Sequence, residues 1–194
     1  MHRPILVTPP SELPVTLDEA KQFVIVEAAE DDAVLESLLE AATAVLDGWN
    51  GILGRCIVEQ TWRQDFDCFA QNLPLPLLPV KPDGVSVTYL DGDGQERILP
   101  SSAYSLVTHA GGASHVQLAR NFTRPSVFSA PGCVSVSFVA GSAREAVPRP
   151  IKTAITMLVA QWFNNREATV TGTIATELPL AVEFLISPFK VRSI

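Results

Sequence analysis

Residues 33–66, "AVLESLLEAATAVLDGWNGILGRCIVEQTWRQDF", decide the fold, because the spacing of apolar residues changes within them. From Ala33 to Trp49 the apolar residues recur at steps of three and four, which predicts an amphipathic helix. Its stripe consists of Leu35, Leu38, Leu39, Ala42, Val45, Leu46 and Trp49. The glycines of "GWNGILG" are stop signals, and "CIVEQTWRQDF" then alternates as a β-strand does. A helical part joined to a strand part predicts an α+β fold.

The residues before this helix predict a second, shorter one. Thr16 is followed three residues later by Glu19 in "PVTLDEAKQFVIV", so each side chain can accept a backbone N–H at a helix start. The acidic stretch "EAAEDD" then interrupts the apolar pattern. Asp31 and Asp32 favour the positive end of the next helix dipole.

The middle of the chain reads as antiparallel strands separated by Pro, Gly and Asp. After "CIVEQTWRQDF" the predicted strands are "VSVTYL", "QERIL", "YSLVT", "HVQLA" and "CVSVSFVAG". The "DGDG" sequence predicts a hairpin between the first two of these. "LPLPLLPVKP" is expected to be an edge or an extended surface segment, because each Pro removes a backbone donor. Six strands predict a small sheet or a sandwich.

The helical period returns after "AREAVPRP" and continues to about "NNRE". Pro148 and Pro150 suit a first turn, and one side carries Ile151, Ala154, Ile155, Leu158, Val159 and Trp162. A Thr-rich loop, "ATVTGTIAT", leads to a short helix in "LPLAVEFLIS". We therefore expect a helical core, made by residues 1–54 and 148–194 packing as one domain, with residues 55–147 as an inserted β domain.

The composition and charge of the chain narrow the classes of function that the protein can have. Hydrophobic residues make up 47% of the chain, enough for a real core, and no secretory signal or membrane span is visible, so we expect a cytoplasmic protein without membrane contact. A net charge of −7 argues against gripping nucleic acid through its phosphates. Residues 1–60 carry a net charge of −8 and residues 148–194 one of +2, which suits head-to-tail self-association or, alternatively, ordinary solvated helix faces.

The sequence contains only partial matches to catalytic and metal-binding signatures. "DGDGQE" begins like a calcium loop, but Glu96 stands where the turn-forming Gly belongs. His109 and His115 flank "AGGAS" without a third ligand placed by spacing. Cys56, Cys68 and Cys133 lack C-x-x-C spacing and are expected to be reduced, buried thiols. We expect no enzyme, cofactor or metal; a dispersed hydrolase site would need His109 or His115.

The ordered set of segments resembles the head-to-tail connector, or adaptor, proteins of long-tailed phages and phage-like gene transfer agents. The segments are "PVTLDEAKQFVIVEAAEDDAVLESLLEAATAVLDGWNG", "RCIVEQTWRQDFD", "VSVTYLDGDGQERILPSSAYSL", "GCVSVSFVAGS", "VPRPIKTAITMLVAQWFNNREA" and "ELPLAVEFLISPFKVRSI". The resemblance implies a non-enzymatic virion protein, made in the bacterial cytoplasm. It implies a ring of about twelve copies below the capsid portal, which continues the DNA channel and meets a tail connector or stopper protein. A tail-completion or tail-terminator protein is the alternative.

Two surfaces are expected to serve such a ring. Acidic residues at the channel, with Glu30, Asp31 and Asp32 as candidates, would repel DNA and let it pass without specific binding; a merely solvated outer face is the alternative. The C-terminal residues have the properties of an arm that docks on the portal or on a neighbouring subunit. Its candidates are Phe184, Leu185, Pro188, Phe189, Lys190, Val191, Arg192 and Ile194. The alternative is that this segment folds back onto its own core.

Overall fold

The chain folds into two compact units. The computed structural model describes residues 2–26, 29–165 and 178–191. We call Met1–Ser11 with Glu59–Ser142 the β unit, and Glu12–Val58 with Ala143–Ile194 the helical unit. The Thr-rich loop of the sequence prediction, together with Arg192 and Ile194, lies outside the described residues.

The helical unit contains α1 (Leu17–Val24), α2 (Asp32–Leu46), α3 (Arg149–Asn164) and α4 (Leu180–Ile186). The predicted capping box is confirmed at α1, where Thr16 and Glu19 each accept the backbone N–H of the other. Pro150 lies in the first turn of α3, as predicted. Short 3₁₀ turns span Ala29–Asp31, Arg144–Ala146 and Ser187–Phe189.

The core of the helical unit draws on both ends of the chain. Its buried members include Leu35, Leu39, Ala42 and Leu46 of α2; Ile151, Ala154, Ile155, Leu158 and Val159 of α3; and Val182 and Ile186 of α4. These positions repeat at steps of three and four, so each helix turns one apolar face inward. Trp162 packs against this core from its edge. Trp49 does not belong to it, because α2 ends at Leu46 and leaves Trp49 37% exposed in the following bend.

The β unit contains β1 (Ile5–Thr8), β2 (Gln60–Phe66), β3 (Asn72–Leu75), β4 (Val80–Leu90), β5 (Glu96–Ile98), β6 (Tyr104–Thr108), β7 (Ser114–Leu118) and β8 (Val134–Ala140). One sheet has the order β1-β2-β8-β4-β5 and the other β3-β7-β6, with antiparallel pairing throughout. In β8 every second residue is buried. The six predicted strands are confirmed, and with them the α+β class.

One strand and one boundary differ from the sequence predictions, whereas β3 matches the edge alternative given for the proline-rich segment. β1 is only four residues long and finds its partner far along the chain, where Ile5 lies opposite Arg63. This pairing is why residues 1–11 lie in the β unit instead of the N-terminal helical part. β3 contains Pro74 and is an edge strand, as the missing donor requires.

The rest of the proline-rich segment is not a surface segment. Leu73, Leu75, Leu77, Leu78 and Val80 are all buried. Val80 also begins β4, whose register with β8 shifts between Val80 and Val85. The prolines therefore fall at an edge and at an irregularity, while the aliphatic residues between them supply core. Among the residues that the structure describes, no helix has the length and apolarity to cross a membrane.

Candidate assembly surfaces

The C-terminal segment lies against the helical unit as far as it is described. Leu185 and Phe189 are partly buried against the helical core. Lys190 Nζ lies 3.5 Å from Glu183 Oε1, and the Val191 N–H donates to the Leu53 carbonyl at 2.9 Å. Up to Val191 the subunit therefore adopts the alternative that we considered, in which the segment folds back onto its own core.

The outer side of α4 remains uncovered within the subunit. Leu180 is 69% exposed and Phe184 72%, and the two lie one helical turn apart. Pro188 is also exposed, just beyond the helix. The opposite side of α4 carries the buried Val182 and Ile186. A helix that is apolar on both sides is unusual at a protein surface, and its outer side is suited to a protein contact.

The acidic candidates at the start of α2 differ in their surroundings. Glu30 is exposed in the 3₁₀ turn that precedes the helix. Asp31 is the N-cap residue of α2, without a side-chain capping bond. Asp32 is engaged inside the unit, because its Oδ1 accepts a hydrogen bond from Lys21 Nζ at 2.6 Å. Its charge is thereby compensated, so Asp32 is poorly suited to act on a passing polyanion.

The two histidines of the β6–β7 hairpin come together, although the rest of a metal site does not. His109 Nε2 lies 3.1 Å from His115 Nδ1, and the rings stack with centroids 5.0 Å apart. His109 is exposed and His115 is half-buried. No group of three or more potential His, Cys, Asp or Glu ligands forms within the described ranges. The geometry is that of one shared hydrogen bond between imidazoles.

The "DGDG" turn is a hairpin stabilised from within. Asp91 Oδ1 accepts the backbone N–H groups of Asp93 and Gln95, while its Oδ2 accepts Arg97 Nε at 2.8 Å. The Arg97 hydrogen bond and these backbone donors hold the pKa of Asp91 below its usual value. All of its oxygens thus serve the turn, which explains why the resemblance to a calcium loop ends there.

The cysteines of the protein are free thiols, as the sequence analysis predicted. Cys56 and Cys133 are buried, as predicted, but the prediction of burial was wrong for Cys68, which is exposed just beyond the end of β2. Burial raises the pKa of the Cys133 thiol, which lies 3.1 Å from the Asp67 carbonyl and donates to it. A raised pKa lowers the thiolate fraction, so Cys133 is poorly suited to act as a nucleophile.

Comparisons with known proteins give one consistent result. No protein-family profile matches the chain, and no curated protein does. Among solved structures, a chain from "Neck of empty GTA particle computed with C6 symmetry" matches with a TM-score of 0.76 and 20% identity, over 100% of this chain and 98% of that one. A chain from "Virion of native gene transfer agent (GTA) particle" matches over the same shares, with a TM-score of 0.75 and 20% identity.

A third match has a TM-score of 0.68 and 18% identity, again over 100% of this chain and 98% of the other; it comes from "Neck of native GTA particle computed with C12 symmetry". The match covers residues of both units, so it is not limited to one common motif. The chain has the fold of a component of gene transfer agent particles. Two of the three matched chains come from structures of the particle neck.

Proposed function

We propose that this protein is a structural head–tail adaptor, which forms a ring below the capsid portal, extends the DNA channel and joins the tail. The observation that carries the proposal is the whole-chain likeness to chains from the neck of gene transfer agent particles. Those necks were computed with C6 and C12 symmetry, which favours a ring of about twelve copies here. The protein acts by assembly, without catalysis, and occupies the head–tail junction of a virion.

The charge of the helical unit supports passage of DNA without specific binding. Residues 29–47 contain six carboxylates and no Lys or Arg. A conduit lined by Lys and Arg would hold phosphates and release counterions, whereas carboxylates repel the polyanion. Glu30 is exposed and Asp31 is half-buried at the start of α2, and both remain channel-side candidates; the Asp32 carboxylate is paired with Lys21. Reversing Glu30 and Asp31 to Lys should leave rings intact and slow the release of DNA from them.

The α4 surface is the proposed contact with the portal or the neighbouring subunit. Phe184 supplies an exposed aromatic anchor of the kind that dominates protein interfaces. Leu185 and Phe189 fix the segment from the inner side, and Lys190, Val191, Arg192 and Ile194 continue it to the C-terminus. The arm hypothesis then requires only that residues 192–194 engage a partner, with residues up to Val191 held in place.

The decisive experiment mixes the purified protein with a purified portal from the same genome, and examines mass and electron-microscopy images. Rings of about twelve copies that cap the portal are expected. A protein that stays monomeric and does not bind the portal contradicts the proposal. Phe184→Ala should weaken portal capping without changing the melting temperature, while Phe189→Ala, which removes a partly buried ring, should lower the melting temperature.

A tail-completion or tail-terminator protein is the second candidate. Two of the matched chains come from structures of the particle neck, and that origin is compatible with either function. The two functions differ in the protein bound. An adaptor binds the portal directly, whereas a tail-side protein binds the tail tube and reaches the portal only through an adaptor, so pull-downs with each partner separate them.

A further inference from the structure

The solvent-facing side of α2 carries apolar side chains that the fold leaves exposed. At 100° per residue, Val34, Ala41 and Val45 lie side by side on the helix, next to the buried face. Val34 is 39% exposed and Val45 37%, and Ala41 is exposed as well. The patch continues past the helix end through Trp49 and Ile52, whose N–H donates to the Val45 carbonyl at 2.9 Å.

Two carboxylates border this face. Glu36 and Glu40 are exposed, lie one turn apart, and form no ion pair with any described residue. The positions between them and the apolar patch hold Ala33, Ser37 and Ala44. These small side chains leave the helix backbone open to close approach. We call the whole surface, residues 33–52 on this side, the α2 outer face.

A loop of the β unit has the complementary chemistry. Residues 119–133, between β7 and β8, contain Arg120 and Arg124 and no acidic residue. Both arginines are exposed, and neither forms an ion pair within the part of the chain that the structure describes. Phe128 of the same loop is 44% exposed. Loops of this length without regular structure are commonly functional.

This loop is held at several points, although it contains no helix or strand of its own. The Phe122 ring packs edge-on against Phe69 with centroids 5.4 Å apart. Val127 forms a β-bridge with Asp91, and the Phe128 N–H donates to the Leu90 carbonyl at 3.0 Å. The loop is therefore anchored to its own unit at several points, and such anchoring lowers the entropic cost of docking on a partner.

We propose that the 119–133 loop of one copy docks on the α2 outer face of a second copy, with Arg120 and Arg124 meeting Glu36 and Glu40. The occupant follows from charge complementarity: two unpaired arginines on a loop without acids face two unpaired carboxylates on a segment without bases. Phe128 and Trp49 supply the aromatic contacts. Two different surfaces of the same chain then meet, and repetition of such a heterologous contact forms a ring when the rotation between neighbours closes.

Reciprocal charge reversal tests this contact, which rests on the ring that we propose above. Glu36→Lys with Glu40→Lys, and separately Arg120→Glu with Arg124→Glu, should each reduce ring formation on the portal at least tenfold in mass photometry. Combining the four substitutions in one chain restores opposite charges at every contact, so rings should return. An equimolar mixture of the two variants should also assemble, because rings in which the variants alternate have opposite charges at every contact. Asp83→Lys with Glu96→Lys is the matched control, since both residues are exposed in the β unit.

The outcomes separate the inference from the proposed function. All variants should melt within about 2 °C of the wild type, since exposed charges contribute little to folding. If both charge-reversed variants form rings as the wild type does, the inference is overturned and the proposed function stands. The inference is also overturned if the variant with all four substitutions fails to assemble while each pair of reversals is tolerated. Arginine variants that form normal rings but release DNA differently assign the loop to DNA instead. A wild-type chain that never associates overturns both proposals.

Discussion

The β unit and the helical unit use their charged residues differently. In the β unit three of the seven carboxylates pair with a nearby Lys or Arg: Asp65 with Arg63, Asp91 with Arg97, and Glu59 with Lys81. The helical unit contains fourteen Asp and Glu against eight Lys and Arg. Glu36 and Glu40 make no ion pair with the described residues. Charged residues at these strands and turns are paired within the β unit, whereas two carboxylates on the exposed side of α2 have no ion-pair partner among the described residues.

The largest expected effects on the free energy of unfolding come from substitutions in the hydrophobic core of one unit at a time. Phe138 in the central strand β8 and Leu39 in α2 are both fully buried. Phe138→Ala should cost about 3 to 5 kcal/mol and Leu39→Ala about 2 to 5 kcal/mol of unfolding free energy, because each leaves a cavity. Urea unfolding followed by tryptophan fluorescence measures both, since Trp62 lies in the β unit, and Trp49 and Trp162 lie in the helical unit. A loss below about 1 kcal/mol for either would contradict the assigned core.

A smaller effect on stability is expected where the backbone φ is positive, and here too the two units differ. In the β unit the described residues with positive φ are all glycines. In the helical unit the C-cap residue of α1 is Ile25, at φ 61°. Left-handed geometry costs a side-chain-bearing residue about 1 to 2 kcal/mol. Because Ile25 is 89% exposed, Ile25→Gly loses little packing and should stabilise the protein by about 1 kcal/mol.

Thermal unfolding measures this gain, and a rise in melting temperature of roughly 2 to 4 °C is expected for a chain of this size. Ile25→Ala is the control, because alanine keeps the strain of a Cβ while removing the rest of the side chain. A lower melting temperature for the glycine variant would show that the Ile25 side chain contributes contacts which outweigh its strain.

The smallest effect concerns pH and the start of α1. The Thr16 backbone N–H, with help from Lys152, holds the pKa of Glu19 below its usual value. A lowered folded pKa gives stability that is present above the usual Glu pKa of about 4.3 and is lost as pH falls through the folded value. Glu19 is largely exposed, so Glu19→Gln should cost only some tenths of a kcal/mol at neutral pH.

Melting temperatures of the wild type and Glu19→Gln, recorded between pH 7 and pH 3, check this prediction. The difference between them should shrink toward zero at the acidic end. Asp18→Asn is the matched control, because Asp18 is a neighbouring acid that takes no part in the capping box. A difference that stays constant with pH would mean that the Glu19 charge does not stabilise the helix start.

The sequence was sufficient to predict features that depend on interactions between residues close together in the chain. The capping box at Thr16 and Glu19, the hairpin at "DGDG" and the apolar period of α3 depend on residues within a few positions of one another, so they could be predicted. β1 could not, because its four residues become a strand only through pairing with Arg63 and its neighbours. The exposed Trp49 was also missed, because a helical period in the sequence does not reveal where the helix ends.

The sequence by itself determined the α+β class, the position of nearly every helix and strand, and the acidic character of residues 29–47, since these depend on periodicity and composition. Only the tertiary structure decided which of those charges are compensated. Lys21 reaches Asp32 because α1 packs beside α2, and nothing comparable reaches Glu36 or Glu40 within the described helical unit. Which surfaces remain open to a partner depends on contacts between residues far apart in the chain, and these are set by packing.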